Sequence, residues 1–183
     1  MREKIRGNIF TYLDVVKMFA GQDPAIIKTQ ISRFAKKGLL INLKRGLYCF
    51  DPTLLDEFEL ANRLYQPSYV SLETALHYYG IMPDIPQAVT SISLTTTKKI
   101  TTEFGTFYYT KIKPVLFWGY RQEKTSSGTL FHIAKKEKAL LDYLYIRKFK
   151  DIDSLRLDVK SINRGIYRKY RSQFPAWLSE INL

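Results

Sequence analysis

Lys36-Lys37-Gly38-Leu39-Leu40-Ile41-Asn42-Leu43-Lys44-Arg45-Gly46-Leu47-Tyr48-Cys49-Phe50 decides how the first part of this chain folds. The two apolar runs flank Lys44-Arg45-Gly46, a short basic turn with glycine, and so read as a tight hairpin. A helix leads into it. Asp23 is its N-cap, Pro24 takes the first helical position where a missing N–H costs nothing, and Gly38 supplies the left-handed residue that closes it. Upstream, Thr11 to Phe19 reads as a preceding helix, with Thr11 as cap, Asp14 at its N-terminus and Leu13, Val16 and Ala20 turned inward. Gly21-Gln22 leaves a short turn before Asp23, the spacing of a helix-turn-helix. The expectation is a winged helix-turn-helix over residues 1–51, built to put a helix in the DNA major groove and a basic hairpin against the backbone.

At about 100° per residue, Ile27, Ile31 and Phe34 share the core face of the second helix. Thr29, Ser32, Arg33 and Lys36 point the other way, with Lys28 at the edge and Gln30 on the flank. Arg33 suits guanine O6 and N7, whereas Lys28, Lys36, Lys44 and Arg45 suit phosphates. An ordinary solvated helix face is the plainer reading of the same pattern, and the adjoining basic hairpin favours DNA. Residues 1–8 carry Arg2, Lys4 and Arg6, as either a short first helix or a basic arm. No apolar run follows these charges, so they do not read as a signal peptide.

The formal charge of +12 over 183 residues is uneven. Residues 1–50 hold ten basic against three acidic side chains, residues 51–121 six against seven, and residues 122–183 thirteen against seven. Two basic ends around a neutral middle point to a polyanionic partner. A hydrophobic share of 45% supports folded cores, and nothing approaches the ~18 consecutive apolar residues of a membrane span. The single cysteine, Cys49, has no internal disulfide partner and reads as a packing residue, in a chain expected in the cytoplasm.

Asp51-Pro52 marks the expected boundary, followed by a helix over about Thr53–Tyr65 with Asp56, Glu57 and Glu59 exposed and Leu54, Phe58, Ala61 and Tyr65 inward. Ser71 is positioned to cap a short helix that Gly80 ends. Ala88–Leu94, Phe104–Ile112, Val115–Tyr120 and Thr129–Ile133 carry strand patterns, with a turn near Ser126-Ser127-Gly128. A helix over about Lys135–Arg147 turns Ala139, Leu140, Tyr143 and Leu144 inward. Residues 52–183 are thus expected to be an α+β domain with a small antiparallel sheet. Near the end, Lys160, Arg164, Arg168 and Arg171 recur at helical spacing opposite Val159, Ile162, Ile166 and Tyr170. They are a solvated face, a second nucleic-acid surface or a contact for an acidic partner, and Gly165 weakens the helix.

Three segments carry a family resemblance: Tyr69-Val70-Ser71-Leu72-Glu73-Thr74-Ala75-Leu76-His77-Tyr78-Tyr79-Gly80, Phe104-Gly105-Thr106-Phe107-Tyr108-Tyr109, and Ile133-Ala134-Lys135-Lys136-Glu137-Lys138-Ala139-Leu140-Leu141-Asp142. With Arg45-Gly46-Leu47-Tyr48, they make residues 10–147 resemble the AbiEi family of bacterial antitoxins, from abortive-infection type IV toxin–antitoxin systems. The resemblance implies a repressor of its own promoter whose C-terminal domain counters a nucleotidyltransferase-type toxin. Stand-alone regulators also resemble this family, and such a protein would bind a protein or small effector instead. The third motif itself reads mainly as fold-building, with Glu137 and Lys138 at the helix start and surface.

Catalysis fits poorly. His77 and His132 have no Cys, His or Asp at metal-ligand spacing. There is no Gly-x-Ser-x-Gly elbow and no glycine-rich phosphate loop. Asp84 and the Asp158-Val159-Lys160 stretch lie too far apart in sequence to suggest the clustered carboxylates of a metal nuclease. The sequence implies no cofactor and no metal.

Overall fold

The computed structural model describes residues 5, 7–125 and 127–183. Most of the reading of residues 1–8 falls on residues 1–4 and 6, outside the described residues, as does Ser126 of the expected turn. The protein is mixed α+β, with a three-stranded and a six-stranded sheet among the described residues.

The N-terminal unit runs β1 (Ile9–Thr11), α1 (Tyr12–Met18), α2 (Pro24–Lys36), β2 (Ile41–Lys44) and β3 (Leu47–Cys49). Its boundaries follow local chemistry. Thr11 and Asp14 form a reciprocal capping box at α1. The Asp23 carboxylate accepts from Ala25 N–H at α2, with Pro24 at the first turn. Gly38, at φ +70°, ends α2 by donating to Ala35 O, while Leu39 N–H reaches back to Phe34 O. This double bond pattern is a Schellman closure. Arg45 and Gly46 alone turn the hairpin, and Gly46 at φ +80° makes so tight a reversal possible. Gly46 O accepts from Tyr12 N–H, tying the hairpin tip to the start of α1.

The sheet order is β1-β3-β2, antiparallel throughout. Its strand alternation divides two cores. Phe10 lies beneath α1 and α2 with Val15, Ile27, Ile31 and Leu40. Ile9, Leu43, Leu47 and Cys49 face the other way, into the main core with Leu60, Leu64 and Phe107. Two inward assignments change: Ala20 lies beyond the end of α1 and is exposed, and Leu13 turns outward. Val15 is buried, whereas Leu13 is 62% exposed, because the face packed against α2 is Tyr12, Val15, Val16 and Phe19, at i, i+3, i+4 and i+7.

The expected helix over Thr53–Tyr65 is divided. Asp51 caps a 3-10 turn at Pro52–Leu54, and Asp56 then caps α3 (Glu57–Leu64). Two Asp caps in close succession compete for the chain, and each starts its own turn. Leu54 is consequently exposed, and Glu59, expected in solvent, is buried beside Arg63 at 4.0 Å.

The body continues with β4 (Ser68–Val70), α4 (Leu72–Tyr78), β5 (Val89–Ser93), β6 (Lys98–Thr102), β7 (Gly105–Lys111), β8 (Tyr120–Lys124), β9 (Leu130–Ala134), α5 (Lys136–Arg147) and α6 (Arg164–Arg171). Its sheet order is β6-β7-β5-β4-β9-β8. The sheet is mixed rather than antiparallel, since β4 runs parallel to β9 and β5 parallel to β7. Connections of more than a hairpin's length between these partners permit the parallel pairing. The apolar run Val115–Tyr120 is not a strand. Pro114 starts a 3-10 turn over Pro114–Leu116, and pairing begins at Tyr120. The α3 helix covers one sheet face, where Tyr109 Oη donates to Ala61 O at 2.7 Å. The α4 and α5 helices cover the other, which carries Tyr69, Thr90 and Tyr108. Among the described residues no helix is long and apolar enough to cross a membrane.

Candidate nucleic-acid interface

Burial of Ile27 and Ile31 against α1 fixes which way α2 presents its polar residues. Lys28, Thr29, Ser32, Arg33 and Lys36 are all exposed, together with Gln30. The Thr29 hydroxyl donates back to Ala25 O at 2.9 Å, which leaves its lone pairs and methyl outward. Among the described residues no carboxylate lies within ion-pairing distance of Lys28, Arg33 or Lys36. The single acidic group on this helix's first turn is the cap itself, Asp23, already bonded to Ala25 N–H. A three-turn helix therefore offers one hydroxyl- and cation-bearing face with its guanidinium free to make a bidentate contact.

The hairpin tip divides its two cations. Arg45 is exposed and has no ion-pair partner among the described residues. Lys44 is exposed as well, yet its ammonium donates to Leu64 O at 2.9 Å, at the C-terminus of α3. Free carbonyls at a helix C-terminus favour a cation there. Lys44 thus fastens the hairpin to the body while keeping two further N–H donors. Sequence reading gave it a phosphate role and had no means of seeing this anchor, which depends on a helix end twenty residues later.

The C-terminal cations are arranged differently from a continuous helical stripe. A 3-10 turn over Val159–Ser161 is separated from α6, which Asn163 caps through Gly165 and Ile166 N–H groups. Lys160, Arg164 and Arg168 are exposed. Arg171 is instead half-buried and donates to Ile181 O at 2.6 Å and to Asn182 Oδ1 at 2.9 Å, holding the last residues in place. Tyr167 is the buried anchor of α6, and Ile166 is 40% exposed. The break at Ile162-Asn163 shifts the phase, which explains why Ile166 lost the inward position and Tyr167 took it. Arg164, Arg168 and Arg171 keep the i, i+4, i+7 spacing of one side of α6, and Lys160 stands apart on the 3-10 turn.

Inside the body lies a polar cluster of another kind. Lys138, placed by sequence at a helix surface, is fully buried, as are Asp142 one turn on, Tyr69 and Ser71. The Lys138 ammonium pairs with Asp142 Oδ1 and donates to Tyr69 Oη at 2.9 Å. Tyr69 Oη and Ser71 Oγ donate to Asp142 Oδ2 at 3.1 and 2.9 Å. Trp118 and Phe174 each present a ring 5.3 Å from Lys138 Nζ. Gly119, at φ +75°, passes so close that a Cβ there would lie 3.0 Å from Lys138 Cγ. Burial pulls the Lys138 ammonium down and pushes the Asp142 carboxyl up, and their mutual attraction opposes both shifts.

Ser71 sits at the N-cap position of α4 as expected, but its hydroxyl serves Asp142 and makes no cap bond. With every member enclosed, the cluster joins β4 to α5. The i,i+4 spacing of Lys138 and Asp142 was the one visible signal of this pair. Glu137 is buried too, and accepts from Asn163 N–H at 3.0 Å, joining α5 to α6.

The histidines occupy separate places. On α4, His77 Nδ1 lies 3.2 Å from the O atom of Met82 beyond the helix end, and His132 Nε2 lies 3.3 Å from Gln122 Nε2 on the β8–β9 pair. Among the described residues no group of three or more His, Cys, Asp or Glu side chains is placed to hold a metal ion. Compared with protein-family models and with curated proteins, this chain has no match in either set.

Proposed function

We propose that this protein is a sequence-specific DNA-binding repressor, with α2 as the recognition helix of a winged helix-turn-helix. The observation that carries the reading is the free polar and cationic face of α2 beside a two-residue basic hairpin. The order β1-α1-α2-β2-β3, with β3 central in its small sheet, supports the same assignment. Arg33 reads a base edge, Thr29 and Ser32 contact bases or phosphates nearby, and Lys28, Lys36 and Arg45 hold phosphates. The protein acts on its own promoter and serves as the antitoxin of a type IV system in the cytoplasm. That part rests on the resemblance of the three body segments to the AbiEi family, and the partner it implies is a nucleotidyltransferase-type toxin. No enzymatic activity of its own is proposed.

The test is a salt titration on the protein's own upstream DNA against a scrambled duplex. A preference of ~1000-fold or more is expected. Arg33→Ala should cost ~1–3 kcal/mol on the upstream duplex and little on the scrambled one, while Lys36→Ala weakens both alike. Equal losses on both duplexes for Arg33→Ala would remove its role as a base reader. Co-expression with the product of a neighbouring gene tests the antitoxin role. Growth rescued by the full chain supports it, and a non-toxic neighbour favours a stand-alone regulator.

A further inference from the structure

Outside the N-terminal unit, cations free of carboxylates gather at one end of β6 and β7. Lys98 opens β6 and Lys111 closes β7. Lys98 pairs in register with Tyr109, and Lys111 lies two residues beyond Tyr109, so both emerge on the face covered by α3. Both are exposed, and among the described residues neither has a carboxylate within ion-pairing distance. Thr95, Thr96 and Thr97 lie exposed in the segment that joins β5 to β6. Thr97 Oγ1 accepts from Lys111 N–H at 3.1 Å.

This end of the body reaches the hairpin through one residue. Tyr65 follows Leu64 at the close of α3, and Leu64 O holds the Lys44 ammonium. The Tyr65 hydroxyl lies 2.7 Å from Thr96 Oγ1 and accepts from Thr96 N–H at 3.2 Å, while Lys98 Nζ stands 5.6 Å from the centre of its ring. The path from Lys44 and Arg45 to Lys98 therefore runs through directly touching groups. Its side chains are lysines, threonines and a tyrosine, without exposed large aliphatic groups in the Thr95–Lys99 stretch. Such a surface matches a line of phosphates better than a protein interface, whose core is aromatic and desolvated.

We propose that Lys98 and Lys111 extend the hairpin's phosphate-contacting edge onto the body, so that the duplex held by α2 also lies along the end of β6 and β7. The inference rests on the DNA-binding reading above. Flexible ammonium groups grip backbone without reading sequence, so this strip adds affinity and salt dependence and leaves specificity to α2. Tyr65 joins the threonines of this strip chiefly by hydrogen bonds, with Lys98 the smallest contributor. Hydrogen bonds from Thr95 and Thr96, aided by Lys98, bring its phenol down to about 8 from an ordinary value near 10.

The experiment compares full-length protein with the Lys98→Ala/Lys111→Ala double variant on the upstream and scrambled duplexes between roughly 50 and 200 mM salt. Each lost phosphate contact lowers the slope of log K against log salt by ~0.9. The double variant should lose about 2 from that slope on both duplexes, with the specificity ratio unchanged. The Lys98→Arg/Lys111→Arg variant should retain the slope. An unchanged slope in a double variant with native circular dichroism would overturn the strip.

Failure of the parent reading looks different. There the wild-type protein would show no preference between duplexes and Arg33→Ala no selective loss, and the slope on scrambled DNA would still test the strip. Phenolate absorbance gives a second readout, with Tyr65→Phe identifying the signal. As pH rises the Tyr65 phenolate should form near 8 in free protein, and at higher pH once duplex is bound, because phosphates disfavour the anion. An unmoved midpoint would count against contact.

Discussion

Replacing Lys138 with methionine should lower the stability of the protein by about 3–5 kcal/mol. The methionine fills much of the same volume, so the loss comes from what it leaves behind. Asp142 is fully enclosed and would keep Tyr69 and Ser71 as hydrogen-bond donors but lose its countercharge. A buried charge without a partner costs far more than the pair contributes relative to an apolar substitute. Thermal melting should shift by on the order of 10 °C for a chain of this size.

The Lys138→Met/Asp142→Leu double variant should recover much of the loss, since it removes both charges together. A single variant that melts within a degree or two of wild type would show that Asp142 does not depend on this ammonium, and the cluster would no longer account for the joining of β4 to α5. Because folding is measured without DNA or partner, the result is independent of the functional reading.

The Leu47→Ala variant has the second large effect, and its interest lies in where the effect is seen. Leu47 belongs to the N-terminal sheet but is buried in the same core as Leu60, Leu64 and Phe107. Truncating a buried leucine typically costs about 2–5 kcal/mol, depending on how far the cavity collapses. Both tryptophans, Trp118 and Trp177, lie in the body, so their fluorescence reports unfolding there. The expected outcome is one transition, shifted equally in tryptophan fluorescence and in circular dichroism. An early loss of helix signal with the fluorescence midpoint unmoved would show that the two parts melt separately. A shared transition means that the orientation of α2 is set by the body through packing, and through Lys44 on Leu64 O.

Much of the N-terminal unit was legible because its signals are local. Asp23-Pro24, Gly38 and Arg45-Gly46 each fix a cap or turn within a few residues. The exposed face of α2 followed from phase alone. The short α1 was harder: its start at Thr11 was legible, but two turns hold too few apolar positions to fix the inward face, and Val15 rather than Leu13 is buried. In the body, hydropathy located most strands but not their neighbours. The pairing of Val70 with Ile133 closes across more than sixty residues, and no local pattern specifies parallel against antiparallel. Ser68–Val70 is too short ahead of the Ser71 cap to show a strand pattern, and Lys98–Thr102 was missed because an edge strand rich in lysine and threonine carries little apolar alternation. Lys138 was misplaced because its burial depends on Tyr69 and Ser71, which only the folded sheet brings beneath α5.

The buried thiol of Cys49 gives the molecule an internal clock. It lies in β3 with none of its surface exposed, where the N-terminal sheet meets the body. Burial, and then the charges of Asp51 and Glu103, push it up to about 11, so almost no thiolate exists at neutral pH. An alkylating reagent must wait for the two layers to part before it can react. The labelling rate then reports how often the seam between them opens. It should be slow in the native protein, faster after Leu47→Ala, and slower again whenever a bound duplex holds both layers at once.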